Sequence, residues 1–234
     1  MYDFDWNVIS RSLRFVLIDG LGFTLTLTLV ATVGGILVGT LLALMRQSKI
    51  ALIRKPAELY IDAARSLPLI LVIFWIFFLL PMAAQWVVGA SRPVAVSAYT
   101  SAFITFTLFE AAYFAEIVRA GMRGIPRGQI EASQALGLKY WQTMIFIILP
   151  QAFRSMLPVL ATQTIVLFQD TSLVYVVSLT DMLGAASKVA QRDGRLVEMY
   201  LFVAVVYFII SFAASQAVHR FQSRVAAPQR ASHP

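Results

Sequence analysis

The chain contains no cysteine. That absence excludes disulfide cross-links, thiolate metal sites and cysteine nucleophiles together. Histidine is nearly as scarce: His219 and His233 are the two, and no cluster of carboxylates accompanies them, so no metal site is expected. Charge is thin as well. Only 13% of residues are charged while 59% are hydrophobic, whereas a soluble globular domain has about a quarter charged and about half apolar. The acidic share is the thinner, 12 Asp and Glu against 19 Lys and Arg, for a net charge of +7. Those cations are dispersed between apolar runs rather than gathered on one face, which speaks for positive-inside bias and against nucleic acid. Asp3 and Asp5 stand where a secretory signal carries basic residues, so no cleaved signal is expected. None of Lys49, Lys55, Lys139 and Lys188 sits in a GxxxxGK[ST] setting. The chain therefore has no phosphate-cradling loop and is not expected to be an enzyme. No internal repeat is visible.

What is abundant is apolar sequence, with a mean hydropathy of +0.76. Gly20 to Met45 and Ser66 to Ser91 are each 26 residues without a charge, and about 20 apolar residues in helix cross the hydrocarbon core. The pattern predicts an all-α integral membrane bundle with five spans, over 20–45, 66–90, 94–118, 150–169 and 198–218. Thirteen Lys and Arg fall in the first connection, the third connection and the C-terminal tail, against six on the other side. That asymmetry predicts an outside N-terminus and a cytoplasmic C-terminus. Arg92, Lys188, Arg192 and Arg195 then lie outside, and His219 lies at the cytoplasmic end of the last span. Residues 1–17 read as an N-terminal interfacial segment carrying an amphipathic helix, 18–218 as the membrane domain, and 219–234 as a cytoplasmic tail, disordered from Ala226. Gly35 and Gly39 have the GxxxG spacing that lets helices approach closely in lipid.

One apolar stretch is too short to span. Thr171 to Thr180 lies between Asp170 and Asp181, and ten helical residues rise only about 15 Å. It reads as a half-helix or re-entrant piece, tolerated where protein or a water-filled cavity surrounds it. Asp170 stands just before it and either caps the exposed N–H groups of Thr171 to Leu173 or joins Gln163, Gln169, Thr171 and Ser172 in lining a translocation path. In the second case the half-helix N-terminus also favours a substrate carboxylate. Ionisable groups within spans are functional hypotheses by default. Glu116 and Arg119 are i,i+3 neighbours suited to a structural salt bridge. Glu110 and Tyr113 lie deeper, where Glu110 either meets a substrate ammonium group or is satisfied by a neighbouring helix.

The third connection is the most specific part of the sequence. It reads Gly128-Gln129-Ile130-Glu131-Ala132-Ser133, then Gly137 after three residues, then Ile147 after nine more, closing on Leu149-Pro150. Pro126 suits the start of a helix and Gly137 a turn between two short helices. Ile130, Gln134 and Gly137 recur at helical spacing, which reads as a knob for a groove on another protein. The string resembles the EAA loop of ABC importer permeases at every spacing, departing from it in Ser133 for the second Ala. The resemblance covers roughly residues 18–218. Arg65-Ser66-Leu67-Pro68-Leu69, the Tyr113, Glu116 and Arg119 triplet, and Gln169-Asp170-Thr171-Ser172-Leu173 are similar to elements of the polar amino-acid family of these permeases, with Gln169 where Lys is usual.

The resemblance implies a type I ABC importer permease for polar amino acids, with glutamate and aspartate the expected cargo, in a bacterial inner membrane. It implies a docking role towards an ABC ATPase dimer for Gly128, Gln129, Glu131, Ala132, Ser133 and Gly137. It also implies a second permease subunit, a related chain or a copy of this one, and a periplasmic amino-acid-binding protein. No cofactor is expected in this chain, ATP and Mg being held by the ATPase. Glu110, Tyr113, Gln163, Gln169, Asp170, Thr171 and Ser172 are the expected substrate path. An acidic cargo calls for a cation, and with Gln169 in place of Lys the sequence identifies none. A secondary carrier is the first rival and a membrane-embedded enzyme the second; the former calls for an inverted repeat and the latter for convergent catalytic residues.

Overall fold

The structure, a computed structural model, describes residues 4–226, with side chains to Gln222. Met1 to Asp3 and most of the expected disordered tail, including Arg230 and His233, lie outside the described residues. Those described form helices and no strand. Five helical stretches are long and apolar enough to cross a membrane: Trp6–Arg46, Leu69–Val88, Ala98–Arg123, Tyr140–Val177 and Leu196–Gln222.

The first stretch begins as α1 (Trp6–Arg14), passes through a π-helical turn at Phe15–Gly20 and continues as α2 (Leu21–Arg46). Asp5 caps α1 by accepting from the Asn7 N–H at 2.9 Å. A π turn adds a residue to the helical cycle, and here Val8 and Val16 both turn inward, fully buried against Met182, Ala185 and Met199. The N-terminal helix thus has a protein-covered face, even though Trp6 stays exposed.

The middle of the molecule is α5 (Ala98–Arg123), begun by the Ser97 side chain accepting from the Tyr99 N–H. Its small residues Ala111, Ala112 and Ala115 are fully buried. Along α2 the GxxxG pair faces it: a Cβ on Gly39 would stand 2.7 Å from the Ala111 carbonyl oxygen and 2.9 Å from the Ala115 nitrogen. Only glycine permits that backbone contact, as small-residue packing in lipid requires.

The first connection is more than a loop. It forms α3 (Ala51–Arg65), which lays Ala57 and Ile61 on α2 and α5, and its Tyr60 hydroxyl donates to the Leu108 carbonyl of α5 at 2.7 Å. Next comes α4 (Leu69–Val88), of which Leu69 and Ile73 are the buried residues. The third connection carries α6 (Arg127–Ala135) and α7 (Tyr140–Thr143), and a π turn at Met144–Ile148 leads into α8 (Leu149–Asp170). After α9 (Met182–Asp193), α10 (Leu196–Ala226) closes the chain. Residues 219–226, expected in the tail, therefore continue the last helix.

The stretch after Asp170 corrects the half-helix reading. The chain does not break there: α8 tightens directly into a 3₁₀ helix at Thr171–Val177 and ends at Ser178, which has φ 63°. Asp170 makes no side-chain cap, and no free helix N-terminus exists at Thr171 to attract a carboxylate. Preceding helical turns already occupy those N–H groups. The cap belongs to Asp181, fully buried, which accepts from the Leu183 N–H at 3.0 Å and the Gly184 N–H at 2.9 Å to start α9.

Candidate functional site: a buried polar cluster on the central helix and an exposed helical loop

Glu110, 1% exposed, sits at the centre of α5 and accepts a hydrogen bond from the Gln163 amide of α8 at 3.0 Å. Of the two readings left open by the sequence, the neighbouring helix is the partner observed. Asp170 at the end of α8 lies close enough for its charge to bear on Glu110, and both bear on the Tyr113 hydroxyl one turn along α5. Two expected path residues, Glu110 and Gln163, therefore meet between α5 and α8, with Tyr113 and Asp170 within electrostatic reach of Glu110. The remaining three stand apart. Gln169 and Ser172 line a separate cavity against α10. Thr171 is fully buried and turns its hydroxyl back to the Phe168 carbonyl at 2.7 Å.

The cluster also has a cation that sequence reasoning left out of it. The Arg65 guanidinium lies 5.8 Å from the centre of the Tyr113 ring, a cation–π contact, and 3.8 Å from Glu116. Its side chain is nearly half exposed, so it can turn toward a ligand. The sequence signal was its place just before Pro68, where α3 ends and α4 begins.

Below this cluster Glu116 is the hub of an ion-pair network. It binds Arg119 one turn away, as its spacing predicts, and also Arg46 from the end of α2 and Arg65 from the end of α3. Asp62 of α3 completes it, 3.2 Å from Arg46. Three guanidinium groups around one carboxylate tie three helices together, and an Arg fork suits such sharing. Outside the spans, Arg192 beside Asp193 holds that carboxyl down to about 2, with Arg11 of α1 3.0 Å away.

The second feature is the α6–α7 loop. Gly128, Gln129, Glu131 and Ala132 are exposed on α6, and Leu136 beyond it is 79% exposed. Gly137 has φ 76°, the left-handed turn that glycine enters freely, and its N–H closes on the Gln134 carbonyl at 2.9 Å. One residue of the expected knob faces the other way. Ile130 points inward, packed against the buried cluster of Ala43, Ile61, Met122 and Met144, because an apolar residue on a short surface helix buries itself in its own protein first. Ser133 is 1% exposed; its hydroxyl donates to the Ile130 carbonyl at 2.7 Å and accepts from the Thr143 hydroxyl at 3.0 Å. The departure from Ala at this position thus fastens α6 to the following helix. Among the described residues no group of three or more His, Cys, Asp and Glu could hold a metal.

Residues 35–227 match the family described as "Binding-protein-dependent transport system inner membrane component". The chain is 50% identical over 226 residues to the "Glutamate/aspartate import permease protein GltK" of Escherichia coli O157:H7, covering 97% of this chain and all of that one. It is 32% identical over 222 residues to the "Glutamine transport system permease protein GlnP" of Escherichia coli K12, covering 95% and 98%. Among solved structures, "Crystal structure of an amino acid ABC transporter with histidines" matches at TM-score 0.82 and 29% identity, over 95% of this chain and 100% of that one. The MetNI methionine transporter in an inward-facing form shares the fold at TM-score 0.66 and 22% identity, over 89% and 97%. With the family match over residues 35–227, the end-to-end likeness to an import permease and the shared fold, the chain belongs to the binding-protein-dependent transport family as the permease subunit of an amino-acid ABC importer.

Proposed function

We propose that this chain is the membrane subunit through which glutamate and aspartate enter the cell, driven by ATP hydrolysed on a partner. The observation that carries the reading is the end-to-end 50% identity to a glutamate/aspartate import permease. The local chemistry suits an acidic amino acid. Asp170, backed by Glu110 and Gln163, supplies negative charge for the ammonium group, Tyr113 supplies a hydroxyl, and Arg65 is the cation for a carboxylate that the sequence alone had lacked.

The exposed face of α6, with Glu131, Ala132 and the Gly137 turn, docks an ATPase subunit. Closure of the ATPase dimer moves the loop, and the loop moves α5 and α8 through Ile130 and the Ser133–Thr143 bond. A second permease subunit completes the path and a binding protein delivers cargo from outside. The N-terminus lies outside and the C-terminus in the cytoplasm of a bacterial inner membrane, as the distribution of Lys and Arg favours.

The test is purification from the native membrane, followed by uptake in liposomes with the ATPase and binding protein. Expected is glutamate uptake that needs ATP and is inhibited by aspartate. Uptake of equal rate without ATP would make the chain a secondary carrier. Gly137→Val, strained by roughly 1–2 kcal/mol at its left-handed φ, should leave ATP hydrolysis running while uptake falls several-fold. Normal coupled uptake in that variant would remove the docking role.

A further inference from the structure

The cavity that holds Gln169 and Ser172 has its other wall on the last span, which nothing in the sequence had connected to transport. It is a slot of about 420 Å³, open on one side, between the end of α8 and α10. That size falls within the roughly 300–1,000 Å³ of small-molecule sites. From α10 come Tyr207, Ser211 and Ser215, at i, i+4 and i+8, so three hydroxyls form one stripe. The stacked rings of Phe208 and Phe212 stand beside them. No lining residue is charged.

Ser211 is the telling residue. Hydroxyls inside a spanning helix ordinarily return to the carbonyl four residues back, and here Thr26, Thr28, Thr40, Thr105, Thr162 and Thr164 all do so at 2.7–3.0 Å. Ser211 does not. It is 8% exposed, it lines the slot, and its hydroxyl has no hydrogen-bond partner. A buried polar group without a partner is costly where lipid surrounds it, so the slot is built for an occupant that hydrogen-bonds.

We infer that the slot is a second amino-acid subsite on the transport path, in which the α10 hydroxyls and the Gln169 amide replace part of the hydration shell of the passing molecule. An uncharged lining holds a charged solute weakly enough to release it, the condition for passage. The inference rests on the importer reading above.

The absence of cysteine makes the test direct. Ser211→Cys gives this chain a single thiol, probed in the assembled importer in liposomes with a charged, membrane-impermeant methanethiosulfonate reagent. Expected are labelling of this chain, slowing of that labelling by saturating glutamate, and loss of uptake once labelled. Ser211→Ala should raise the half-saturation concentration for glutamate by about fivefold, the effect of one hydrogen bond, with little change in maximal rate. Ser215→Cys, one turn along and less buried, carries the same test if Ser211→Cys fails to assemble. Oxidative cross-linking of the new thiol to an engineered thiol on the other permease subunit, without labelling from water, would make the slot a subunit interface. Reaction with apolar reagents only would make it a lipid-facing groove. Labelling that neither glutamate nor uptake notices would also overturn the subsite. Failure of the unsubstituted complex to take up glutamate with ATP would instead sink the importer reading itself.

Discussion

Helices α4 and α5 are neighbours in the chain and opposites in the bundle. The most apolar part of α4 has a mean hydropathy of 2.2 with 6% of its residues buried inside the protein, while that of α5 has 1.4 with 61% buried. In water the more apolar helix would be the buried one. In a bilayer the lipid takes the apolar helix, and the protein interior takes the one with alanines, serines and carboxylates, since these can pack closely or bond only to other helices. Polarity within a span is therefore a guide to centrality here, and α5 is where both the polar cluster and the ion-pair hub sit.

The comparison is broken most severely by overfilling the seam on which α5 depends. Gly39→Leu drives a side chain into backbone atoms of Ala111 and Ala115; overpacking costs about 3 kcal/mol or more when backbone must shift. Little folded protein should be recovered from membranes, and wild-type yield with a wild-type melting temperature would mean α5 is not the packed centre. Next comes Glu116→Gln, which leaves Arg46, Arg65 and Arg119 facing one another. A loss of about 2–3 kcal/mol is expected, below the full cost of breaking a buried pair because the site is partly open. Thermal melting in detergent reads it, with an unchanged midpoint the contrary result.

Asp181, in the connection between the fourth and fifth spans, extends the comparison to a buried charge held by backbone N–H groups rather than by arginine. Burial pushes its carboxyl up to about 6. An acid whose folded value lies above its unfolded one destabilises the fold above that value, and the penalty fades as pH falls through 6 toward 4. Asp181→Asn keeps a cap acceptor and removes the charge. It should therefore melt above wild type at pH 7.5, by the equivalent of roughly 1–2 kcal/mol, and the gain should narrow by pH 5. A gain independent of pH would assign it to something other than this carboxyl. Smallest is Leu79→Met on α4, exposed on the outer face of the bundle and expected within about 0.5 kcal/mol of wild type. A large loss there would mean that α4 is covered.

Much of this was legible in one dimension where the interaction is local. The five spans follow from run length, Glu116–Arg119 from helical spacing, and the turn at Gly137 from the one residue type suited to it. The Asp170 cap failed because an acidic residue before an apolar run marks a helix start only if the preceding helix has ended, and α8 had not. Spacing places Ile130 on a helix face but does not say which way that face turns, and it turns inward. Arg65 and Arg46 contribute in sequence only to the charge bias, and their approach to Glu116 depends on α3 folding back across α2 and α5. The polar wall of α10 lay hidden in an apolar run, its hydroxyls given meaning only by what α8 sets opposite them.

The sequence by itself determined that the chain lives in a membrane, that it has five stretches long and apolar enough to cross it and that its third connection holds a short helix, a glycine turn and a second helix, because hydrophobic length and short-range spacing act along the chain. Which charges meet, which helix is central and which hydroxyl is left without a partner were decided by tertiary structure. Those depend on distances between segments tens of residues apart, and in lipid it is close packing and shared hydrogen bonds between helices that set such distances.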